Sequence, residues 1–306
     1  MNIYKKILVI FFIFLSHNAL SLENKILFKV DNEIITSLDL LDEIKYLNLT
    51  NNNINNLSQE KIFEISKNSI IREKIKLIEL NKRFENFNVE EKYFNFLIEG
   101  LIKKLNLENL IEFKTYLNER NIKYENIKKK IKIEILWNQL IYTKFSKDVR
   151  IDKEKIKKEI AKNNFQKEFL FSEILFTLEK NQKLDKKILK IKNDINLNGF
   201  ENAALIHSIS TSAENGGKLN WIKSNSLNKK IKKFVLNKEV GSLTDPIVVP
   251  GGFLILKIED IRETKILNNI DEELKLVENE MVNKQLNQFS NIYFNKIKKE
   301  IQINEY

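Results

Sequence analysis

Apolar residues recur at helical spacing through most of the chain. Between 58 and 84 isoleucines return every three or four residues, and Ser58 precedes this run as an N-cap. The Thr36-x-x-Asp39 pattern predicts a capping box at the start of an earlier helix. The same periodicity predicts further helices at 89–105, 107–120, 124–145 and 271–300, and a polar connecting helix within 151–163.

Short apolar runs predict strands in two parts of the chain. In the first, two runs flank Asp31-Asn32, which is a hairpin signal. In the second, a strand-like run at 168–178 is followed by two helical stretches, 184–196 and 200–208, and by two strands around Gly251-Gly252. This β-α-α-β-β order over about 100 residues predicts a small α+β domain with helices packed on an antiparallel sheet.

Glycine is rare, and its placement is uneven. The chain has seven glycines, and six of them, with both prolines, fall between residues 199 and 252. Two stand side by side at Gly216-Gly217 in the stretch STSAENGGKLNWI. Because glycine adopts positive φ without a steric penalty, the pair predicts a turn or a close approach of two backbone segments.

The N-terminus has the three-part layout of a secretory signal peptide. Lys5 and Lys6 precede nine apolar residues at 7–15, and small residues alternate at Ala19-Leu20-Ser21. Nine residues rise only roughly 14 Å as helix, against a hydrocarbon core of about 30 Å, which disfavours the alternative of a membrane anchor. We therefore expect residues 1–21 to be a signal peptide and the mature chain to begin at Leu22.

Composition limits the chemistry. The chain carries 52 basic and 42 acidic residues, for a net charge of +10, but its lysines interleave with isoleucine as on the solvated face of an amphipathic helix. We therefore expect no nucleic-acid partner. Cysteine is absent, and His207 is the only histidine after residue 21. This excludes a Cys/His nucleophile and predicts no metal site, no cofactor and a structural role for His207.

Residues 166–264 carry five motifs in order: the Ser172-Glu173-Ile174-Leu175 strand; Phe200, Ala203 and Ser208 on a helix; GGKLNW at 216–221; Gly241 with Pro246-Ile247; and GFLILKI at 252–258. In this order and spacing, the segment resembles a parvulin-type (PpiC-type) peptidyl-prolyl isomerase domain, or rotamase. Asn220 stands where a third glycine is usual in the family. The resemblance implies that the glycine turn lies beside a groove that receives proline peptides.

The polar part of the family's site is altered. The resemblance places two histidines and a Cys or Asp where this chain has Glu173, Leu254 and Ser210. Isomerisation must lower a barrier of about 18–20 kcal/mol by binding the twisted amide more tightly than the planar one. Leucine offers no hydrogen bond for this, so the resemblance implies no catalytic residues at these degenerate positions.

The apolar part of the family's site persists. Leu219, Leu227 and Ile231 stand where the family places the side chains that hold the proline ring, and Trp221 belongs to the same turn. We expect these four residues to bind peptides. The alternative for Leu219, Leu227 and Ile231 is that they are ordinary core residues, since leucine and isoleucine are usually buried.

The layout of the whole chain is similar to that of the SurA family of periplasmic chaperones. The resemblance implies an α+β protein whose mainly helical core, 22–150 with 266–306, carries an inserted parvulin-like domain at 166–264 after a linker helix at 151–165. It also implies that the last strand pairs with the first hairpin.

Three functions remain open. The first is a periplasmic chaperone for unfolded outer-membrane β-barrel precursors, soluble after signal cleavage, whose parvulin-like domain binds peptides without catalysis. The second is a prolyl isomerase or foldase with an altered active site. The third is a structural adaptor that binds no client. Glu173 and Leu254 favour the first function over the second, and the SurA-like layout favours it over the third.

Overall fold

The structure, a computed structural model, describes residues 24–306 except 52, 53, 163, 180, 267 and 268. The signal peptide expected at 1–21 lies outside the described residues. In chain order the elements are β1 (Ile26–Val30), β2 (Glu33–Thr36), α1 (Ser37–Thr50), α2 (Gln59–Asn81), α3 (Glu91–Lys104), α4 (Leu110–Glu119), α5 (Tyr124–Phe145), α6 (Lys153–Ile160), β3 (Phe165–Phe176), α7 (Leu184–His207), β4 (Lys218–Lys223), α8 (Lys229–Val235), β5 (Ile247–Val249), β6 (Gly252–Lys265), α9 (Ile270–Glu300) and β7 (Ile303–Glu305). The α+β fold class is confirmed.

A three-stranded antiparallel sheet, in the order β2-β1-β7, joins the two ends of the described chain. Asp31 turns the β1–β2 hairpin at φ 48°, as the Asp31-Asn32 signal predicts. Thr36 and Asp39 form the predicted capping box at the start of α1. Strand β7 pairs with β1, with Phe28 opposite Glu305, so the expected pairing of the last strand with the first hairpin is confirmed.

Helices α2 and α5 share a hydrophobic core with α9, whereas α3 and α4 pack with α5 in a second hydrophobic cluster. Trp137 on α5 is fully buried, and its ring stacks on Tyr293 of α9 with ring centres 5.9 Å apart. Its indole N–H donates to the hydroxyl of Ser290, at 2.8 Å. Because this core needs side chains from both ends of the chain, α9 closes the N-terminal helices into one packed unit.

The inserted segment forms a four-stranded antiparallel sheet in the order β4-β3-β6-β5. Side chains alternate between its faces, so α7 covers one face and α8 packs against the other. The structure differs from the predicted order in three respects. GGKLNW continues from its turn into strand β4, 229–235 forms helix α8, and the two helical stretches of α7 are joined through a break at Gly199 (φ 82°).

The inserted segment packs directly against the N-terminal helices. Leu205 of α7 joins a hydrophobic cluster with Leu47 and Ile65 of α1 and α2. Beside it, the Lys61 ammonium of α2 donates to the Asp194 carboxylate of α7 at 2.8 Å. Within the described ranges, no helix is long and apolar enough to cross a membrane.

Excision of 166–264 tests the domain boundaries. Phe165 pairs with Lys265 across β3 and β6, so the ends of the excised segment lie side by side and a short Gly/Ser linker can join them. We expect the shortened chain to keep its helices and melt cooperatively, at a lower temperature because the partners of Leu205 become exposed. Circular dichroism measures both. A chain without helix, or one without a cooperative transition, contradicts the boundaries.

Candidate functional site

A groove of 470 Å³ lies between the α8 face of the four-stranded sheet and helix α9. Its floor and sides come from β3, β4, β6 and the start of α8, and α9 forms its roof. Six of the residues that the sequence predicts for the site line this groove: Glu173, Leu219, Trp221, Leu227, Ile231 and Leu254. The seventh, Ser210, lies beneath them and contacts Glu173.

The groove floor is apolar and belongs to the domain's own core. Leu227, Ile231 and Leu254 are 5%, 1% and 7% exposed, and they pack in one cluster with side chains of β3. Leu219 is half-buried at the edge of this cluster. These residues are therefore core residues whose outer edges also form the groove floor. A role in the core is thus compatible with the expected role in peptide binding.

Glu173 is held by two serine hydroxyls at the polar end of the groove. Ser210 Oγ donates to Glu173 Oε1 at 2.6 Å, and Ser212 Oγ donates to the same oxygen at 2.8 Å. The two hydroxyl oxygens are 3.0 Å apart. Sequence comparison with the family identified Ser210 but missed Ser212, although both lie in the STS stretch before the glycine pair. Two of the three degenerate positions, Glu173 and Ser210, thus form a hydrogen-bonded carboxylate cluster with Ser212.

Gly217 allows the close approach that the glycine pair predicts. Its backbone has φ 77°, and its carbonyl oxygen accepts from the Glu173 N–H at 2.8 Å. A Cβ at this position would lie 2.3 Å from the Glu173 carbonyl oxygen, closer than atoms can pack. Gly217 therefore lets the turn lie directly on β3 at the residue that carries the carboxylate.

Arg72 of α2 holds the loop that carries the two serines. Its guanidinium donates to the carbonyl oxygens of Ser210, at 2.6 Å, and Ser208, at 3.1 Å. Lys104 of α3 donates to the side chain of Asn215 in the same loop, at 2.5 Å. The helical core therefore positions one end of the groove. No sequence pattern indicates these contacts, because both cations lie more than 100 residues from the loop.

The roof is the polar face of α9. Glu280 accepts from the Lys223 N–H at 3.2 Å and from the Ser226 hydroxyl, although burial raises the pKa of its carboxyl. Lys284 is half-buried one turn further along, in the same groove as Glu173. Burial lowers the pKa of Lys284 to about 8, against the opposing attraction of Glu173 and Glu280. The roof was missed at the sequence level, because α9 belongs to a separate part of the chain.

Replacing Lys284 by methionine is expected to stabilise the protein by about 1–3 kcal/mol at pH 7. The lowered pKa means that the folded state binds this proton less tightly than the unfolded state. Stability therefore rises as the pH increases from about 8 towards the unfolded value of 10.5, and the advantage of Lys284→Met shrinks over that range. Denaturant titrations between pH 7 and pH 10 measure this. A variant that is less stable at pH 7 contradicts it.

His207 lies away from the groove, in a cluster that joins α7 to α2. Its Nε2 is 2.8 Å from Asp194 Oδ2, and Asp194 also accepts from Lys61. Burial lowers the pKa of His207. In the part of the chain that the structure describes, no group of three or more histidine, aspartate or glutamate side chains could hold a metal ion.

Comparison with known protein families and sequences agrees with this geometry. Residues 169–260 match the family model of the rotamase, or PPIC-type PPIASE, domain. The chaperone SurA of Pseudomonas putida is 23% identical over 174 residues, which cover 53% of this chain and 41% of SurA. The foldase protein PrsA 3 of Bacillus cereus is 29% identical over 168 residues, covering 53% of each chain. The chain thus matches only about half of the length of these relatives.

Solved structures include similar chains. A PpiC-type peptidyl-prolyl isomerase domain is 28% identical, covers 32% of this chain and 93% of its own, and has a TM-score of 0.29. A SurA-like chaperone from Campylobacter jejuni is 19% identical, covers 92% of this chain and 99% of its own, and has a TM-score of 0.36. The comparisons thus show that residues 169–260 match a PpiC-type rotamase domain and that about half of the chain is similar to SurA chaperones.

Proposed function

We propose that the protein is a periplasmic chaperone that binds unfolded outer-membrane β-barrel precursors, and that its PpiC-type domain binds peptides without isomerising them. The observation that carries this proposal is the groove itself. Its apolar floor is intact, whereas Leu254 stands where the resemblance places a histidine. The similarity to SurA chaperones supports the choice of an unfolded client.

The apolar floor supports weak binding. A buried apolar side chain contributes about 1.5–3 kcal/mol, before the loss of translational and rotational freedom is subtracted. A groove of 470 Å³ has room for one or two such side chains of a client. Weak contacts of this kind suit a chaperone, because the client must be released as well as bound.

The polar end of the groove argues against efficient catalysis. Each tenfold gain in rate needs about 1.4 kcal/mol of extra affinity for the twisted amide. Leu254 cannot donate a hydrogen bond, and Oε1 of Glu173 already accepts from two serine hydroxyls. A carboxylate can accept but not donate, so it cannot stabilise a peptide carbonyl oxygen.

One observation favours the second candidate function, a prolyl isomerase with an altered site. The cluster of Glu173, Ser210 and Ser212 keeps three polar side chains at the position of the family's polar floor. If a client reorients either hydroxyl, the cluster supplies a donor. The two functions therefore differ in a measurable rate.

Two assays run side by side on the chain without residues 1–21 separate the functions. In the first, an outer-membrane β-barrel protein is diluted from urea and its light scattering is followed. In the second, isomerisation of a short Xaa-Pro peptide is followed by a protease-coupled reaction. The chaperone proposal expects suppressed aggregation and a background isomerisation rate.

Three variants test these assays further. Leu219→Gln on the groove floor should weaken suppression, whereas Leu189→Gln, at a 61% exposed position on α7, should not. The double change Glu173→His with Leu254→His should raise isomerisation above background. A structural adaptor would not suppress aggregation, and a prolyl isomerase would catalyse peptide isomerisation without the two introduced histidines. Either result contradicts the proposal.

A further inference from the structure

One face of α9 presents a row of polar side chains to the groove. The six residues recur every three or four positions and so lie on one side of the helix. They are Glu280, Asn283, Lys284, Asn287, Gln288 and Asn291. Glu280 is engaged by Ser226 and Lys223. The side chains of the other five make no hydrogen bond or ion pair with any described residue.

The amides of this row are suited to a peptide main chain. Asn291 is only 7% exposed, and a ligand that excludes water from its amide must itself supply a hydrogen-bond partner. Each amide side chain carries both a donor and an acceptor, as does each residue of an extended peptide backbone. Amides can therefore hold a client through its main chain, whatever its sequence.

The row continues beyond the groove. A second cavity, of 740 Å³, lies between α9 and the helices α3 and α5, and it shares Asn220, Asn283 and Asn287 with the groove. Its far wall carries more amides, Asn138 and Gln139 of α5. The two cavities together form a track that runs from the PpiC-type domain to the helical core.

Lys284 adds a charge to this track. The other lysine in the groove lining, Lys218, pairs with Glu201 at 2.6 Å. Among the described residues that line the groove, Lys284 is therefore the cation without an ion pair, and it lies above an apolar floor. The carboxylates of Glu173 and Glu280 attract it from the same groove, but they accept from serine hydroxyls and do not pair with it. A half-buried ammonium in such a place is complemented by a carboxylate.

We propose that this track binds an extended polypeptide segment in which an apolar side chain enters the groove floor and a nearby carboxylate pairs with Lys284. The amides of Asn283, Asn287 and Asn291 hold the main chain that joins the apolar side chain to the carboxylate. This inference rests on the proposed peptide-binding function and adds a preference to it. The carboxylate can be an acidic side chain or a free C-terminus. The ligand site is then completed by a helix from outside the PpiC-type domain.

Fluorescence anisotropy on the chain without residues 1–21 tests the preference. The probes are labelled peptides with one Phe-Pro pair in a Gly/Ser background and one Glu placed two to four residues to either side. Each has a Gln counterpart, and the Gln peptides are made with a free and an amidated C-terminus to separate the two sources of carboxylate. We expect the best Glu or free-C-terminus peptide to bind about fivefold or more tightly than its neutral partner.

Matched variants assign the effect to α9. Lys284→Met should bring the ratio close to one, because the charged peptide loses the partner of its carboxylate. Lys275→Met, an equal charge change at an exposed position of α9, should keep the ratio. Asn287→Leu should weaken charged and neutral peptides alike by several-fold, whereas Asn279→Leu, at an exposed position of α9, should not.

The outcomes separate this inference from the function on which it rests. Equal binding of charged and neutral peptides by the wild type overturns the carboxylate preference while leaving peptide binding intact. Equal effects of Asn287→Leu and Asn279→Leu overturn the amide track. If no peptide binds at all, the proposed function itself fails.

Discussion

Replacing Lys130 by methionine is expected to lower the free energy of unfolding by about 3–5 kcal/mol. The Lys130 ammonium lies 2.5 Å from carboxylate oxygens of both Glu43 and Glu73, between α1, α2 and α5. Burial alone would lower the pKa of Lys130, but the attraction of the two carboxylates outweighs it and holds that pKa well above its usual range. Methionine fills a similar volume and leaves the Glu43 carboxylate, 2% exposed, without its cation.

Urea denaturation at pH 7 measures the loss. The control is Lys128→Met, which removes a lysine paired with a 75% exposed Glu125 and should change stability by less than about 1 kcal/mol. Adding Glu43→Gln to Lys130→Met should recover part of the loss, because the stranded charge is removed. If Lys130→Met and Lys128→Met behave alike, the buried cluster does not stabilise the core as described.

Replacing Arg72 by methionine is expected to cost about 2–4 kcal/mol of stability and to weaken peptide binding as well. The guanidinium donates to the carbonyl oxygens of two buried residues, Ser208 and Ser210. The Ser210 carbonyl oxygen also accepts from the Ala213 N–H at 3.1 Å, so the Ser208 carbonyl oxygen loses more when the guanidinium is removed. Without it, the loop that carries Ser210 and Ser212 loses its attachment to α2. The cluster around Glu173 then loses its fixed geometry.

Denaturant titration and peptide anisotropy on the same samples measure both effects. Arg120→Met is the control, since Arg120 is 46% exposed and pairs with a 66% exposed Glu119. A lysine at position 72 should recover less than half of either effect, because one ammonium cannot span two carbonyl groups as a guanidinium does. If stability falls while peptide affinity is unchanged, Arg72 docks the domain without positioning the site.

The features of the fold that the sequence predicted are those set by local chemistry. The capping box of Thr36 and Asp39 and the hairpin at Asp31 depend on neighbouring residues alone, and both are present. Helix α8 was missed because its seven residues carry four lysines and only three apolar residues, too few for a periodic signal. Strand β4 was missed because GGKLNW was interpreted as a turn, although more and less exposed side chains alternate at its end.

The site was predictable only in the part that the inserted segment supplies. Family motifs located Glu173, Leu254 and the groove floor. These motifs occur along the chain in the same order as the strands and helices of the domain that carry them. The roof on α9, the Arg72 contacts and the track with Lys284 depend on how two distant parts of the chain pack together. No pattern within either part encodes that packing, so these features needed the three-dimensional structure.

One NMR measurement tests both parts of the proposed function, peptide binding in the groove and the lack of catalysed isomerisation. An isotope-labelled Xaa-Pro peptide is titrated with the chain lacking residues 1–21, and exchange spectroscopy is recorded on each sample. We predict saturable chemical-shift changes that are weaker with Leu219→Gln. We also predict that cis–trans exchange keeps its uncatalysed time constant of about tens to hundreds of seconds. Exchange cross-peaks that appear with the wild type and vanish with Glu173→Gln would contradict the account.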